Sequence, residues 1–243
     1  MHKEYIRVAE NADIAVLFIH GIVGTPNHFK AFLPKVPESM SVYNMLLDGH
    51  GKGVRDFSKT SMEAWEGQVS GVVKQLAQHH REIYIVGHSM GTLLAIGQAL
   101  REPKITKLFL LAVPLRIALK PAMFFNTTKV YLGKIRPDDR QALAARDAYG
   151  IGEDKNPFHY LGWIPRYLEL FRKARQIRGL VSALEIPCFV YQSEKDELVS
   201  LQSLSYMEKR PNIQIRHLPN SGHYYYTEED FALLLDDFEK FLQ

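Results

Sequence analysis

The sequence predicts an α/β fold: a mostly parallel sheet flanked by helices on both faces, broken once by a helical insertion. Three observations predict it. Short apolar runs at 14–19, 83–86 and 108–113 alternate with helical patterns, as in successive βαβ units. Those runs are continuously apolar rather than alternating, which marks strands buried on both faces. From about 114 to 175 the alternation stops for longer than a plain connection needs, then resumes. A chain of 243 residues, 46% hydrophobic and 23% charged, suits one such domain carrying one insertion.

The elements follow in order. Residues 5–9 make a short edge strand, and Ile14-Ala15-Val16-Leu17-Phe18-Ile19 makes the first buried one. Thr25-Pro26 reads as an N-cap with proline at the first helical position, opening a helix through about 33. A strand at 41–47 leads into the glycine-rich loop Asp48-Gly49-His50-Gly51-Lys52-Gly53. Thr60-Ser61-Met62-Glu63 is a capping-box pattern for a long helix to about 79, with Trp65, Val69, Val72, Val73 and Leu76 at helical spacing. The strand Ile83-Tyr84-Ile85-Val86 runs straight into Gly87-His88-Ser89-Met90-Gly91 and then a helix to about 102. Another buried strand ends at Val113.

The insertion is rich in aromatics, with helical spacing at 138–148 and again at about 163–178. We expect it to lie over the carboxyl edge of the sheet, dividing the chain into a core of 1–113 and 176–243 and a helical cap of 114–175. Beyond it come a strand at 187–191, a helix from Ser200 to about 209, and a strand at 213–217. A last helix is capped by Thr227, with Phe231, Leu234, Leu235, Phe238 and Leu242 on one stripe.

Composition excludes several function classes. The net charge is only +3, with no Lys/Arg-rich run, so nucleic acid is not an expected partner. No apolar stretch approaches the roughly 20 residues that span a bilayer, so stable membrane insertion is not expected. The single cysteine, Cys188, follows a proline in a strand-like run and reads as a buried, inert thiol. With no apolar leader at the start, the expected compartment is a reducing cytoplasm. No His/Cys/Asp cluster has metal-ligand spacing, and neither a metal nor another cofactor is expected.

The chemistry gathers at Ser89. Its G-x-S-x-G sequence lies between a strand and a helix, where a sharp turn lifts the hydroxyl above the sheet edge. Gly87 and Gly91 fit that turn, because side chains two residues either side of the serine would collide. A serine hydroxyl needs a neighbouring base, and the base needs an orienting carboxylate. The loop after 187–191 offers Glu194, Asp196 and Glu197; the loop after 213–217 offers His223 beside Gly222. Other histidines fit less well. His79 and His80 end a helix as solvated cations, His217 lies inside a strand, and His88 points away from the Ser89 hydroxyl. A developing oxyanion needs two backbone N–H donors, and by position these are Met90, directly after the serine, and Ile22, in the turn after the first buried strand.

Five motifs in order resemble an α/β-hydrolase, specifically the carboxylesterase and monoacylglycerol-lipase-like serine hydrolases. His20-Gly21-Ile22-Val23-Gly24-Thr25-Pro26 is similar to that group's oxyanion loop. Leu47-Asp48-Gly49-His50-Gly51 is similar to its P-G-H-G loop, with aspartate where proline is usual. Gly87 to Gly91 matches the elbow, and Ser221-Gly222-His223 the histidine loop. Asp196-Glu197-Leu198-Val199 resembles the D-x-x-V acid loop, with Ser193 in place of a common glycine, and this favours Asp196 as the acid. The resemblance implies an α/β-hydrolase fold, a Ser89–His223–Asp196 triad, and hydrolysis of a small-molecule acyl ester through an acyl-enzyme. Phe124, Phe125, Phe158 and Trp163 are candidates for lining an acyl pocket. Lysophospholipase, thioesterase, feruloyl-type esterase and amidase chemistry would use the same triad, and a non-catalytic ligand binder would keep only the fold.

Overall fold

The computed structural model describes residues 2–118, 135–152 and 154–243. Seven strands form one sheet: β1 Tyr5–Arg7, β2 Ile14–Ile19, β3 Ser41–Met45, β4 Glu82–His88, β5 Ile105–Leu111, β6 Cys188–Ser193 and β7 Ile213–Leu218. Their order is β1-β3-β2-β4-β5-β6-β7. Only β1 runs antiparallel, against β3; the other pairs are parallel.

Both faces of the sheet are covered, so the central strands bury both rows of side chains. In β2, Leu17 and Ile19 join the cluster on one face, and Val16 and Phe18 join the other. The first face packs against α2 Met62–His79, α3 Met90–Ala99 and α5 Ile164–Leu180. The second packs against α6 Glu228–Phe241, where Phe238 and Phe241 crowd Phe18, Phe109 and Tyr84. Among the described residues two further α-helices occur, α1 Val54–Ser58 and α4 Arg140–Ala148.

The chain moves outward from β2 to β3, then returns past β2 to β4. Loops after β2 and β4 therefore part to opposite sides, and that switch point leaves a crevice at the carboxyl ends of the strands. The elbow and the first glycine loop face each other across it.

Several local expectations are corrected. The helix expected from 26 to 33 is two short 3₁₀ turns, Pro26–Phe29 and Leu33–Lys35. Pro34 removes an N–H and disfavours α geometry at Leu33, so one continuous helix cannot form. Thr25 does cap the first turn, accepting from the Asn27 N–H. The cap of α2 is Ser61, which accepts from the Ala64 N–H; Thr60 instead donates to the Phe57 carbonyl. The expected helix after Ser200 is a 3₁₀ stretch, Leu201–Tyr206, with Leu204 and Met207 buried three apart as three residues per turn requires. His80 is not solvated at the helix end. It is buried, donating from Nδ1 to the Leu76 carbonyl and holding the Ser41 hydroxyl at Nε2. Helix α1 was not anticipated; it buries only Val54 and Phe57.

Between β5 and β6, α5 lays Leu170, Ala174 and Ile177 on the main core, and its buried Lys173 amine reaches the partly exposed Glu66 of α2 in an ion pair. Residue 175 lies inside this helix, whose contacts to α2 and α3 tie it to the sheet's first face. No described helix is long and apolar enough to cross a membrane. Cys188 is buried, and burial pushes its thiol up to about 12.

Candidate active site

The elbow is built by close approach. Ser89 sits between β4 and α3 at φ 52°, ψ −122°, a conformation that costs a side-chain-bearing residue about 1–3 kcal/mol. Neighbours hold it there: its N–H donates to the Leu111 carbonyl at 2.9 Å, and its carbonyl accepts from the Thr92 N–H at 2.9 Å and hydroxyl at 2.7 Å. A Cβ on Gly91 would lie 2.0 Å from the Ile19 carbonyl oxygen, and one on Gly87 2.9 Å from the Thr92 backbone. Only glycine lets α3 start this close to β2.

Across from the elbow, Gly21 to Gly24 form a turn closed by the Gly24 N–H on the Gly21 carbonyl at 3.0 Å. A Cβ on Gly21 would come within 3.0 Å of the Ser89 Cβ, so this turn rests against the serine. His20 braces it. Its Nε2 accepts from the Leu47 N–H at 3.1 Å, which leaves Nδ1 to donate to the Gly21 carbonyl at 2.9 Å. Ile22 is buried in this turn, and Met90 is buried at the first position of α3, where N–H groups lack an intrahelical acceptor.

His223 and Asp196 meet from the loops after β7 and β6. His223 Nδ1 lies 2.9 Å from Asp196 Oδ2, and both residues are buried. The aspartate is fixed by its own loop: Oδ1 accepts the N–H groups of Leu198 and Val199 at 2.8 Å each, and Oδ2 also accepts from Gln192. Of the other loop carboxylates, Glu194 is solvent-facing near His217. Glu197 Oε2 accepts the His223 backbone N–H at 3.1 Å, a role sequence reasoning missed.

This pairing fixes the tautomer. With Nδ1–H donated to Asp196, His223 Nε2 carries the lone pair, and among the described residues that buried atom has no hydrogen-bond partner. It is an acceptor held ready on the ring. Burial opposes its protonation, but the Asp196 carboxylate and its hydrogen bond, with Glu197 behind, outweigh burial and hold His223 above the ordinary imidazole range.

Four more histidines lie in or near the site, His20, His50 and His88 buried and His28 partly so, and sequence reasoning missed the grouping. His28 stacks on His88 at 3.9 Å, His88 lies 4.8 Å from His223, and His20 lies 4.7 Å from His50. His88 Nε2 donates to the His223 carbonyl at 3.0 Å. Burial lowers all four, His28 to about 3 and His50 to about 4. A single histidine of the five is paired with a carboxylate, and it is His223.

The acyl-pocket candidates fare differently. Phe124 and Phe125 lie outside the described residues. Phe158 is at the surface, 74% exposed, at the start of the 3₁₀ helix Pro157–Trp163. Trp163 is turned to packing: its indole donates to the Val54 carbonyl at 3.1 Å and its ring meets Phe57 at 4.8 Å. The 157–163 turn docks on α1. Among the described residues no group of His, Cys, Asp or Glu has the arrangement to hold a metal.

Comparisons with known proteins agree with this architecture. The pattern of the Alpha/beta hydrolase family matches residues 16–236. A thermostable monoacylglycerol lipase of Bacillus sp. (strain H-257) is 26% identical over 242 residues, covering 94% of this chain and 90% of the lipase. Among solved structures, one of the metagenome-derived lipolytic enzymes LipS and LipT superposes with a TM-score of 0.76 at 18% identity, over 99% of this chain and 97% of its own. The monoacylglycerol lipase of Paleococcus ferrophilus gives 0.70 at 16% identity, over 99% and 98%.

Proposed function

The chain belongs to the alpha/beta hydrolase family, and from that membership we propose that it is a serine esterase acting on short or medium acyl esters or monoacylglycerols. The observation that carries this reading is His223, paired through Nδ1 with buried Asp196 at 2.9 Å while its buried Nε2 has no partner among the described residues. The similarity to a monoacylglycerol lipase supports the substrate class.

In the proposed reaction His223 Nε2 takes the Ser89 hydroxyl proton as the oxygen attacks the ester carbonyl. The N–H groups of Ile22 and Met90 receive the developing oxyanion, which they meet at fixed positions with no reorganisation. His223 returns its proton to the leaving alcohol as the carbon–oxygen bond breaks. Water then gives a proton to His223 and its oxygen to the acyl carbon, and Ser89 leaves with that proton. Asp196 keeps the imidazole in the required tautomer and stabilises the imidazolium.

The test is turnover of p-nitrophenyl esters from acetate to palmitate, and of a monoacylglycerol, by wild type and Ser89→Ala. We expect hydrolysis peaking at short or medium chains, lost by a factor of about 10³ or more in the variant, and fluorophosphonate labelling confined to Ser89. Absence of both turnover and labelling in the wild type would leave a ligand-binding homologue as the better reading. Labelling without ester turnover would favour a thioester or amide substrate.

A further inference from the structure

Val23 occupies the third position of the Gly21–Gly24 turn at φ 52°. A β-branched residue is a genuine outlier there; glycine is the usual occupant of a turn position with positive φ. Such strain persists where the surroundings over-determine it. The element that does so comes from far along the chain. Gly150, after α4, donates its N–H to the Val23 carbonyl at 2.7 Å, and its own carbonyl accepts from the Gly51 N–H at 2.5 Å. Two residues on, the Gly152 N–H reaches the Lys52 carbonyl at 2.9 Å. The backbone at 150–152 thus bridges the loops that follow β2 and β3.

Position 150 admits no side chain. A Cβ there would lie 2.1 Å from Thr25 Cγ2 and 2.5 Å from the Gly24 carbonyl oxygen. The neighbouring Tyr149 ring meets Tyr224 edge-on at 5.8 Å, and Tyr224 meets His223 edge-on at 4.7 Å. One short stretch between β5 and β6 therefore touches the turn bearing Ile22 and the residue beside the base.

We propose that Gly150 is a positioning residue: its N–H on the Val23 carbonyl holds the Gly21–Gly24 turn in the shape that presents the Ile22 N–H to the oxyanion. The inference rests on the serine-esterase reading. It makes catalytic competence depend on the seating of a segment that supplies no reacting group. By linkage the dependence is mutual, so filling the oxyanion site tightens the seating of Gly150.

The experiment compares Gly150→Ala with Gly152→Ala, where a Cβ would meet nothing closer than the Lys52 carbonyl oxygen at 3.6 Å. Active serines are counted with a fluorophosphonate, so misfolded enzyme is excluded. Per counted serine, Gly150→Ala should lower kcat at least about tenfold, a part of what deleting an oxyanion donor costs. Its affinity for a trifluoromethyl ketone, whose serine adduct places an oxyanion in the site, should fall in step, and the pH profile set by His223 should not move. Gly152→Ala should stay within about twofold on all three. Wild-type kcat per counted serine in Gly150→Ala, or a loss with unchanged ketone affinity, overturns the proposal. If Gly150→Ala does not fold, amide exchange in the unsubstituted protein decides: the Gly150 N–H should exchange more slowly once the ketone adduct forms, and an unchanged rate overturns it. A wild type that neither labels nor turns over esters would bring down the esterase reading and this inference with it; a competent wild type with an indifferent Gly150→Ala brings down the inference alone.

Discussion

Two carboxylates attend His223, and at the scale of single residues they have separable duties. Asp196 meets the ring; Glu197 meets the backbone N–H. Asp196→Asn should lower plateau activity by about 10³–10⁴-fold, because asparagine neither fixes the tautomer nor stabilises the imidazolium. Glu197→Gln keeps an acceptor for the backbone N–H and removes only a charge. That charge favours the protonated ring, so its loss lowers the pKa of His223. The base works when neutral, and its pKa is raised above the ordinary value. Activity in the wild type should therefore fall as pH drops through a midpoint above about 6.5. In Glu197→Gln that midpoint should move to lower pH, with the plateau retained within a few-fold; kcat/KM against pH measures both. A midpoint unmoved in Glu197→Gln would mean that Glu197 serves only the loop backbone. The loop offered three carboxylates, and the resemblance of 196–199 to an acid loop favoured Asp196; composition alone does not choose, since choice depends on which one the 196–199 turn aims at a ring 27 residues away.

At the scale of elements, α3 carries two glycines with opposite expected responses. Gly91→Ala puts a methyl 2.0 Å from the Ile19 carbonyl oxygen, backbone that cannot yield without displacing α3 or β2. It should destabilise by about 3 kcal/mol or more, or abolish folding. Gly97→Ala meets only the Ile177 Cδ1 at 3.6 Å and the Lys173 amine at 3.7 Å, ordinary contact. It should stabilise by about 0.5–1 kcal/mol through helix propensity. Urea unfolding of both variants checks the pair. The elbow glycine was legible because strand, motif and helix are contiguous in sequence, as were the strands at 14–19, 83–86 and 108–113, whose two buried faces leave an unbroken apolar run. The stretch between β5 and β6 resisted for a physical reason. Helix α5 buries Leu170, Ala174 and Ile177 on one side and leaves Ile164, Leu168 and Phe171 exposed on another, so its apolar period is doubled and its ends blur. Gly150 was invisible for a different one: its partners Val23 and Gly51 are 127 and 99 residues away, and a backbone donor leaves no mark on residue choice beyond the glycine itself.

For the whole molecule, the clustered histidines set a limit on acid stability. His20, His28, His50 and His88 are kept neutral by burial, and neighbouring histidines add to this for His20, His28 and His88. Their folded pKa values are lowered, so the unfolded chain binds more protons than the folded one once pH falls below about 6.5. Stability is then fully present above that pH and is lost on acidification, each such histidine contributing about 1.4 kcal/mol per pH unit until its folded value is reached. His223 runs the other way: its raised pKa stabilises the fold at pH below about 6.5, and that contribution is lost on alkalinisation. One favourable histidine does not offset four unfavourable ones. We therefore expect unfolding free energy from urea titrations to fall between pH 6 and pH 5 with a slope of more than one proton. His28 stacks on His88 with an unpartnered Nε2 and gives no side-chain hydrogen bond among those described, so His28→Phe removes one such proton without breaking a bond. Its slope should be shallower by about one proton. A slope of one proton or less in the wild type, or one unchanged in His28→Phe, would show that these histidines take up protons in the folded state, and that the cluster does not govern acid stability.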